Sequence, residues 1–218
     1  MTVAQEASAD AVATRRRRRI GPLLPLASLA VTSVILVTPL VRDGVNVDAF
    51  LVALRILTKT SFLLFLLVFV TRPLHDLFGN RNTAWMLANR RYLGLTFAVW
   101  HLMHWPILAS LLALVGPAEF WEAFSDIIVP AGGVLVVITL LAVTSNNASQ
   151  RFFGKRVWGA IHTVGIYIIW VWFAKVYVLS KLPEIASFSA KPYIFVYVSL
   201  LFAAMALRLI MATRRLAT

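Results

Sequence analysis

The chain has 218 residues, of which 60% are hydrophobic and 14% are charged, and its formal net charge is +12. This composition is too apolar for a single soluble domain, and the length suffices for about six membrane spans of ~20 residues. Because the chain has no cysteine, disulfides, iron–sulfur clusters and thiolate-ligated haem are excluded, and any redox cofactor needs nitrogen or oxygen ligands. The basic residues lie between apolar segments rather than on one face, which argues against a nucleic-acid partner.

Six apolar stretches of near-spanning length follow one another along the chain. They cover residues 20–41, 50–70, 92–115, 127–143, 157–179 and 193–212. The second is the least regular, because Arg55 and Lys59 interrupt its first half, although basic side chains near the end of a span can snorkel. The sequence predicts an all-α integral membrane protein, with a six-helix transmembrane bundle over residues 20–213 and a disordered basic cytoplasmic tail over residues 1–19.

Lys and Arg residues outside the spans are distributed unequally. Five precede span one, four lie between spans two and three, three lie between spans four and five, and two follow span six. The alternate loops hold one, none and two. Because cytoplasmic loops carry the excess of basic residues, both termini are predicted to be cytoplasmic. The arginine run at 15–19 is interpreted as the anchor of an uncleaved first span rather than a signal sequence, since a spanning-length stretch follows it.

Three of the four histidines fall within the predicted spans: His101 and His104 on span three, and His162 on span five. Polar groups at membrane depth cost free energy unless they find a partner, so histidines on two spans indicate a shared ligand, most simply haem iron. With both spans running outward, the helical rise of about 1.5 Å per residue places His101 closer than His104 to the depth of His162. The alternative is a hydrogen bond from each histidine to Ser, Thr or a carbonyl of a neighbouring helix.

Lys175 lies on span five, thirteen residues after His162 and near the predicted outer surface. The simplest interpretation is an ammonium group that snorkels to the interface. The alternatives are an amine ligand for iron, or a charge that attracts a haem propionate or an anionic electron acceptor. On span three, Pro106 removes a backbone donor and predicts a kink just beyond the histidine pair. Gly94 and Gly165 would permit close approach of a helix or cofactor.

Two segments together resemble a known family. One is Arg90-Arg91-Tyr92-Leu93-Gly94-Leu95, which leads into the span of His104; the other runs from Thr144-Ser145 through Gly154-Lys155-Arg156 to Trp158 and His162. They resemble the haem-binding membrane subunit of the periplasmic methionine-sulfoxide reductase system, within the ferric reductase-like transmembrane superfamily. Residues 56–73 look like the second span of that family, and the resemblance covers about residues 45–180.

The resemblance implies a six-span bundle that holds one or two b-type haems through histidines on spans three and five. His104 matches the span-three ligand and His162 matches the first of two span-five histidines, so both are implied metal ligands. Lys175 stands where the family has the second span-five histidine, the one that pairs with the position of His104. Four arrangements stay open: Lys175 ligates iron with His104, His101 pairs with His162, a single haem is five-coordinate, or haem is lost.

The resemblance further implies an electron-transfer subunit of an oxidoreductase system in the bacterial inner membrane. Its electrons would come from a cytoplasmic flavin reductase or another flavin source, or from quinol, and pass to a periplasmic redox partner protein. A bound flavin is compatible with that role. The alternative is a haemless scaffold or partner-binding protein that keeps the fold. A small-solute transporter is disfavoured, because few polar residues line the spans and no paired discontinuous helices are evident.

Overall fold

The computed structural model describes residues 21–187, 189 and 191–217, and the predicted tail at 1–19 lies outside them. The described residues form nine α-helices and one short 3-10 helix, Leu179–Lys181. The α-helices are α1 (Leu23–Asp43), α2 (Val47–Phe78), α3 (Arg81–Ala88), α4 (Arg90–Leu102), α5 (His104–Val115), α6 (Pro117–Thr144), α7 (Asn147–Tyr177), α8 (Leu182–Ala186) and α9 (Pro192–Ala217).

Six helical segments of the described chain are long and apolar enough to cross a membrane, which confirms the predicted fold class. Spans one, two, four and six are α1, α2, α6 and α9; span three consists of α4 and α5, and span five consists of α7 with its continuation to Ala186. The side of the membrane on which each end lies stays a prediction. The basic residues of span two do not interrupt it: Arg55 is exposed, and the Lys59 ammonium lies 4.2 Å from the centre of the Tyr193 ring.

Span two is the central helix of the bundle, because α2 packs against α1, α4, α5 and α9. Phe62, Phe65 and Phe69 are almost completely buried. Their spacing of three and four residues places them on one face of α2. Phe62 contacts Phe173 of span five with ring centroids 5.2 Å apart, and Phe65 contacts Phe97 of span three at 5.6 Å. These rings hold spans two, three and five together around the histidines.

Span three is broken between its two histidines, where α4 ends at Leu102 and α5 begins at His104. Pro106 accounts for the break, because it cannot donate to the carbonyl of Leu102 and its ring crowds that carbonyl. The Nδ1 atom of His104 lies 2.7 Å from the carbonyl oxygen of His101 and donates to it. The sequence predicts the kink just beyond the pair. The structure places it within the pair, since proline disturbs the turn that precedes it.

One end of the bundle, called here the basic end, gathers many of the basic side chains outside the apolar core: Arg72, Arg81, Arg91, Arg151, Lys155, Arg156, Arg214 and Arg215. Contacts join several segments there. Asp76 pairs with Arg215 and with Arg72, whose Nε lies 3.0 Å from its carboxylate, and Nη1 of Arg91 lies 3.4 Å from Oδ1 of Asn147. The ends of spans two, three, five and six therefore meet at one surface.

Candidate cofactor site

His101 and His104 are buried inside the bundle and contact span two. Nε2 of His104 lies 2.9 Å from the hydroxyl of Thr58, and Nδ1 of His101 lies 3.2 Å from the hydroxyl of Ser61. Thr58 and Ser61 are three residues apart on α2, so both hydroxyls lie on the same face. The two imidazole rings lie side by side with centroids 4.7 Å apart. Spans two and three therefore hold the pair between them.

The hydrogen-bond partners determine which ring nitrogen carries the proton. A carbonyl oxygen only accepts, so Nδ1 of His104 is protonated. The Thr58 hydroxyl has a single proton and donates it either to the carbonyl of Leu54, at 2.8 Å, or to Nε2 of His104. The Ser61 hydroxyl donates its proton to the carbonyl of Thr58 at 3.0 Å. It can then only accept from His101, so Nδ1 of His101 carries a proton. For His101 this assignment leaves Nε2 unprotonated.

An aromatic contact gives the relative depth of spans three and five. The ring of His101 meets that of Phe173 edge to face, with centroids 5.8 Å apart. Phe173 lies eleven residues after His162, so His162 is displaced by ~16 Å along span five from the level of His101. The structure therefore does not bring His101 and His162 to one level. The sequence comparison of depths assumed that both spans enter the membrane alike, whereas α7 begins at Asn147 and is interrupted at Gly154.

Lys175 lies near the level of the histidine pair, but its ammonium group contacts span four. Nζ donates to the carbonyl oxygen of Asp126 at 3.0 Å and lies 5.4 Å from the centre of the Trp172 ring. In an uninterrupted α-helix the Asp126 carbonyl would accept from the N–H of residue 130, and residue 130 is proline. Lys175 therefore satisfies the acceptor that Pro130 leaves without a donor. The amine is therefore engaged by a backbone carbonyl of span four, and whether it also reaches the interface stays a prediction.

A second cationic side chain, between spans two and six, also donates to a carbonyl that a proline leaves without a donor. Pro73 of α2 cannot donate to the carbonyl of Phe69, and Nη1 of Arg208 donates to that carbonyl at 3.0 Å. Nε of Arg208 donates to the hydroxyl of Tyr167 at 3.1 Å, and the guanidinium lies over the Phe69 and Tyr167 rings. Sequence reasoning missed Arg208. The signal was present: a proline inside one span and a lone cation inside another.

A cavity of ≈ 360 Å³ opens at the basic end between spans two, three, four and five. Its volume lies within the range of about 300–1,000 Å³ that is typical of small-molecule sites. The rim is polar and contains Arg90, Arg91, Asn147 and Gln150. The inner wall is apolar, formed by Phe65, Val68, Phe97, Ala98, Ile138, Leu141, Ile166 and Ile169. The cavity can therefore receive an amphipathic molecule whose anionic end faces the rim.

His162 lines this cavity from span five. Its ring lies against Trp158, with centroids 4.2 Å apart, and its Nε2 lies 3.2 Å from the hydroxyl of Thr144. Trp158 donates through Nε1 to the carbonyl of the same Thr144 at 2.8 Å. Residues 144 and 158 thus hold the imidazole at the wall. Of the predicted ligands, all of which are described, His162 lines this cavity, and His101, His104 and Lys175 do not.

Two glycines widen the cavity, and a third brings helices together. A Cβ atom at Gly94 or Gly159 would meet nothing within 4 Å, and both residues line the cavity. A Cβ atom at Gly165 would lie 2.8 Å from Cδ1 of Leu141 on span four. Of the two glycines singled out in the sequence, Gly94 therefore borders open space, whereas Gly165 permits close helix packing.

The donor set suits haem better than a bare metal ion. The described residues contain no group of three or more His, Cys, Asp or Glu side chains that could hold an ion. Haem needs only one or two ligands from the protein, and imidazole is a common one. Arg90 and Arg91 on the rim can form charge-assisted hydrogen bonds to carboxylates. The imidazole, the apolar wall and the two guanidinium groups around this cavity are therefore the types of group that haem requires.

No protein-family model, curated protein or solved structure matches this chain. The class of protein that the structure defines is a multi-pass helical membrane protein. The resemblance to the haem-binding subunit of the methionine-sulfoxide reductase system stays a prediction from the segments quoted above.

Proposed function

We propose that the chain is an electron-transfer protein of the bacterial inner membrane that binds one b-type haem in the cavity beside His162. The observation that carries the proposal is the imidazole of His162 in a cavity that has an apolar inner wall and a polar rim bearing Arg90 and Arg91. Imidazole suits iron, apolar walls suit the porphyrin, and two guanidinium groups suit its two carboxylates. The bound haem would supply one-electron chemistry, while the protein orients it and limits its contact with water.

The surroundings of the histidine pair favour one haem over two. Nε2 of His104 lies 2.9 Å from the hydroxyl of Thr58, and Lys175 donates to the carbonyl of Asp126, so each group has another partner. A haem at this level would have to break both hydrogen bonds. His162 also lies within hydrogen-bond distance of a hydroxyl, that of Thr144, but it lines the cavity, whereas His104 and Lys175 do not. The proposal therefore assigns the iron to His162 and a structural role to His104 and Lys175.

The direction of electron flow follows from the proposed orientation. With the basic end cytoplasmic, the haem lies near the cytoplasmic surface, within reach of a flavin reductase or quinol as donor. The acceptor would be a periplasmic redox partner protein at the opposite end. In this role the chain is a subunit of an oxidoreductase system.

The test is a reduced-minus-oxidised spectrum with pyridine haemochrome quantitation on protein produced with ample haem. We expect b-type bands and a haem-to-protein ratio near one. His162→Ala should lose the Soret band, and His104→Ala should keep it. His75→Ala is the matched control, because His75 is outside the cavity, 3.3 Å from the hydroxyl of Thr83. A parent protein without a Soret band, or a band that survives His162→Ala and disappears with His104→Ala, would refute the proposal.

A second candidate is a haemless scaffold that keeps the six-span fold. It is favoured by one observation: His101, His104 and His162 each lie within hydrogen-bond distance of a hydroxyl on a neighbouring span. In that case the parent has no Soret band, and His→Ala variants change stability alone. The loss per variant would be about 1 kcal/mol, the magnitude of an interhelical hydrogen bond in a membrane.

A further inference from the structure

The start of α7 does not run straight into span five. The side chain of Asn146 caps the helix by accepting from the backbone N–H of Ser149 at 2.7 Å. Gly154 then interrupts the helix with φ +74° and ψ 153°, a conformation that only glycine adopts readily. Residues 147–153 therefore form a short helical piece, set off from the span by a break in the backbone.

The residues around this break are fully outside the bundle. Every residue of the segment 151–157 is exposed. Phe152 is 84% exposed and Phe153 is 38% exposed, and their rings meet edge to face with centroids 5.0 Å apart. Packing within the chain gives no reason for an aromatic ring at position 152. At the end of a membrane span, a ring exposed to this extent is suited to the membrane interface.

The positive charge around the two rings indicates the kind of surface that they contact. Arg151, Lys155 and Arg156 flank the phenylalanines, and the sequence contains no acidic residue between Asp126 and Glu184. Aromatic rings flanked by basic side chains suit the head-group region of an anionic membrane, where the rings are partly buried and each cation is attracted to the surface. The segment lies directly before Trp158, at the edge of span five.

We propose that Phe152 and Phe153 insert among anionic lipid head groups of the membrane and hold the 147–153 helix at the mouth of the cavity. Asn147 and Gln150 belong to this helix and line the cavity. Anchoring at Phe152 therefore positions two rim residues. The inference concerns the lipid surface, and it does not depend on whether the cavity binds haem.

Because the chain has no cysteine, a single nitroxide label can be attached to the variant Ala148→Cys. Ala148 is exposed and lies one turn before Phe152 on the same side of the helix. The full chain is placed in phosphatidylcholine vesicles with or without phosphatidylglycerol, and collision with oxygen is compared with collision with a water-soluble nickel chelate. Labels at Val171→Cys, on the exposed surface of span five, and at Ser187→Cys, in an exposed loop, give the two reference depths.

We expect the label at 148 to report a depth between the references and to lie deeper with phosphatidylglycerol. Phe152→Ser should lower the ratio of inserted to water-exposed label about tenfold. Phe78→Ser is the matched control, because Phe78 is also an exposed phenylalanine, 60% accessible, at the end of α2. That variant should leave the label at 148 unchanged.

Replacing Arg151, Lys155 and Arg156 by Gln should reduce insertion about fivefold per residue in vesicles with phosphatidylglycerol. The same changes should have no effect in phosphatidylcholine alone. Two results would overturn the proposal. A label as accessible to nickel as that at Ser187 in both lipids means a solvated loop, and a label inaccessible to both reagents means a protein contact.

Discussion

Lys175→Met tests the conclusion that the ammonium group serves the carbonyl that Pro130 leaves without a donor. Methionine keeps most of the length and apolar surface of the side chain but cannot donate. A hydrogen bond from a charged donor contributes about 1.5–3 kcal/mol in proteins generally, and interhelical bonds in membranes average about 0.6 with a maximum of about 1.7. Because Lys175 is half-buried, we expect a loss of about 1 kcal/mol in the free energy of unfolding.

The decisive comparison is with Pro130→Ala. Alanine supplies the N–H that the Asp126 carbonyl lacks, so the lysine becomes unnecessary to that carbonyl. In the Pro130→Ala background, Lys175→Met should therefore lower the free energy of unfolding by less than about 0.5 kcal/mol. This is the error within which the effects of independent substitutions add. An ammonium group that only snorkels would give no dependence on residue 130.

The assay is reversible unfolding of the purified protein in mixed micelles with increasing dodecyl sulfate, followed by helical circular dichroism. Lys191→Met, at an exposed position just before α9, is the control and should be neutral. Equal costs of Lys175→Met in the parent and in Pro130→Ala would refute the assigned role of Lys175.

Three further changes test the packing by the same unfolding measurement. Arg208→Met should lower the free energy of unfolding by about 1–2 kcal/mol. The loss should be smaller in a Pro73→Ala background, because the Phe69 carbonyl then regains a donor, and equal losses would contradict this role of Arg208. Gly154→Ala should cost about 1–3 kcal/mol, because the combination of φ +74° and ψ 153° is essentially restricted to glycine, and a neutral result would mean that the break is not needed. Gly165→Ala should cost about 1–3 kcal/mol, because the added methyl group would overpack against Leu141. Leu141→Ala makes room for that methyl group and should reduce the cost.

The sequence predicted a helix boundary correctly where the helix ends together with its apolar residues. Span three was expected over 92–115, and the structure has Arg90–Val115. Span four was expected over 127–143, but its helix begins at Pro117. The first ten residues of that helix include Glu119, Glu122 and Asp126, which lower its hydropathy without preventing helix formation. Hydropathy reports which residues prefer lipid, whereas the helix continues wherever the backbone can maintain its hydrogen bonds.

The candidate site was predictable only in part. The sequence identifies His101, His104 and His162 as polar groups inside spans, because their neighbours are apolar. It does not identify Thr58 and Ser61 as partners of the pair. That choice depends on the rotation of α2 about its axis, which the packing of its buried phenylalanine face determines.

The sequence by itself determined the six spans and the grouping of the basic residues, because both depend on local composition. It also determined where the backbone would lack donors, since proline has no N–H. Only the tertiary structure decided the relative depth of spans three and five and the partners of Lys175 and Arg208. Depth and partner choice arise from side-chain packing between helices, in which a break such as that at Gly154 shifts every later residue of the span.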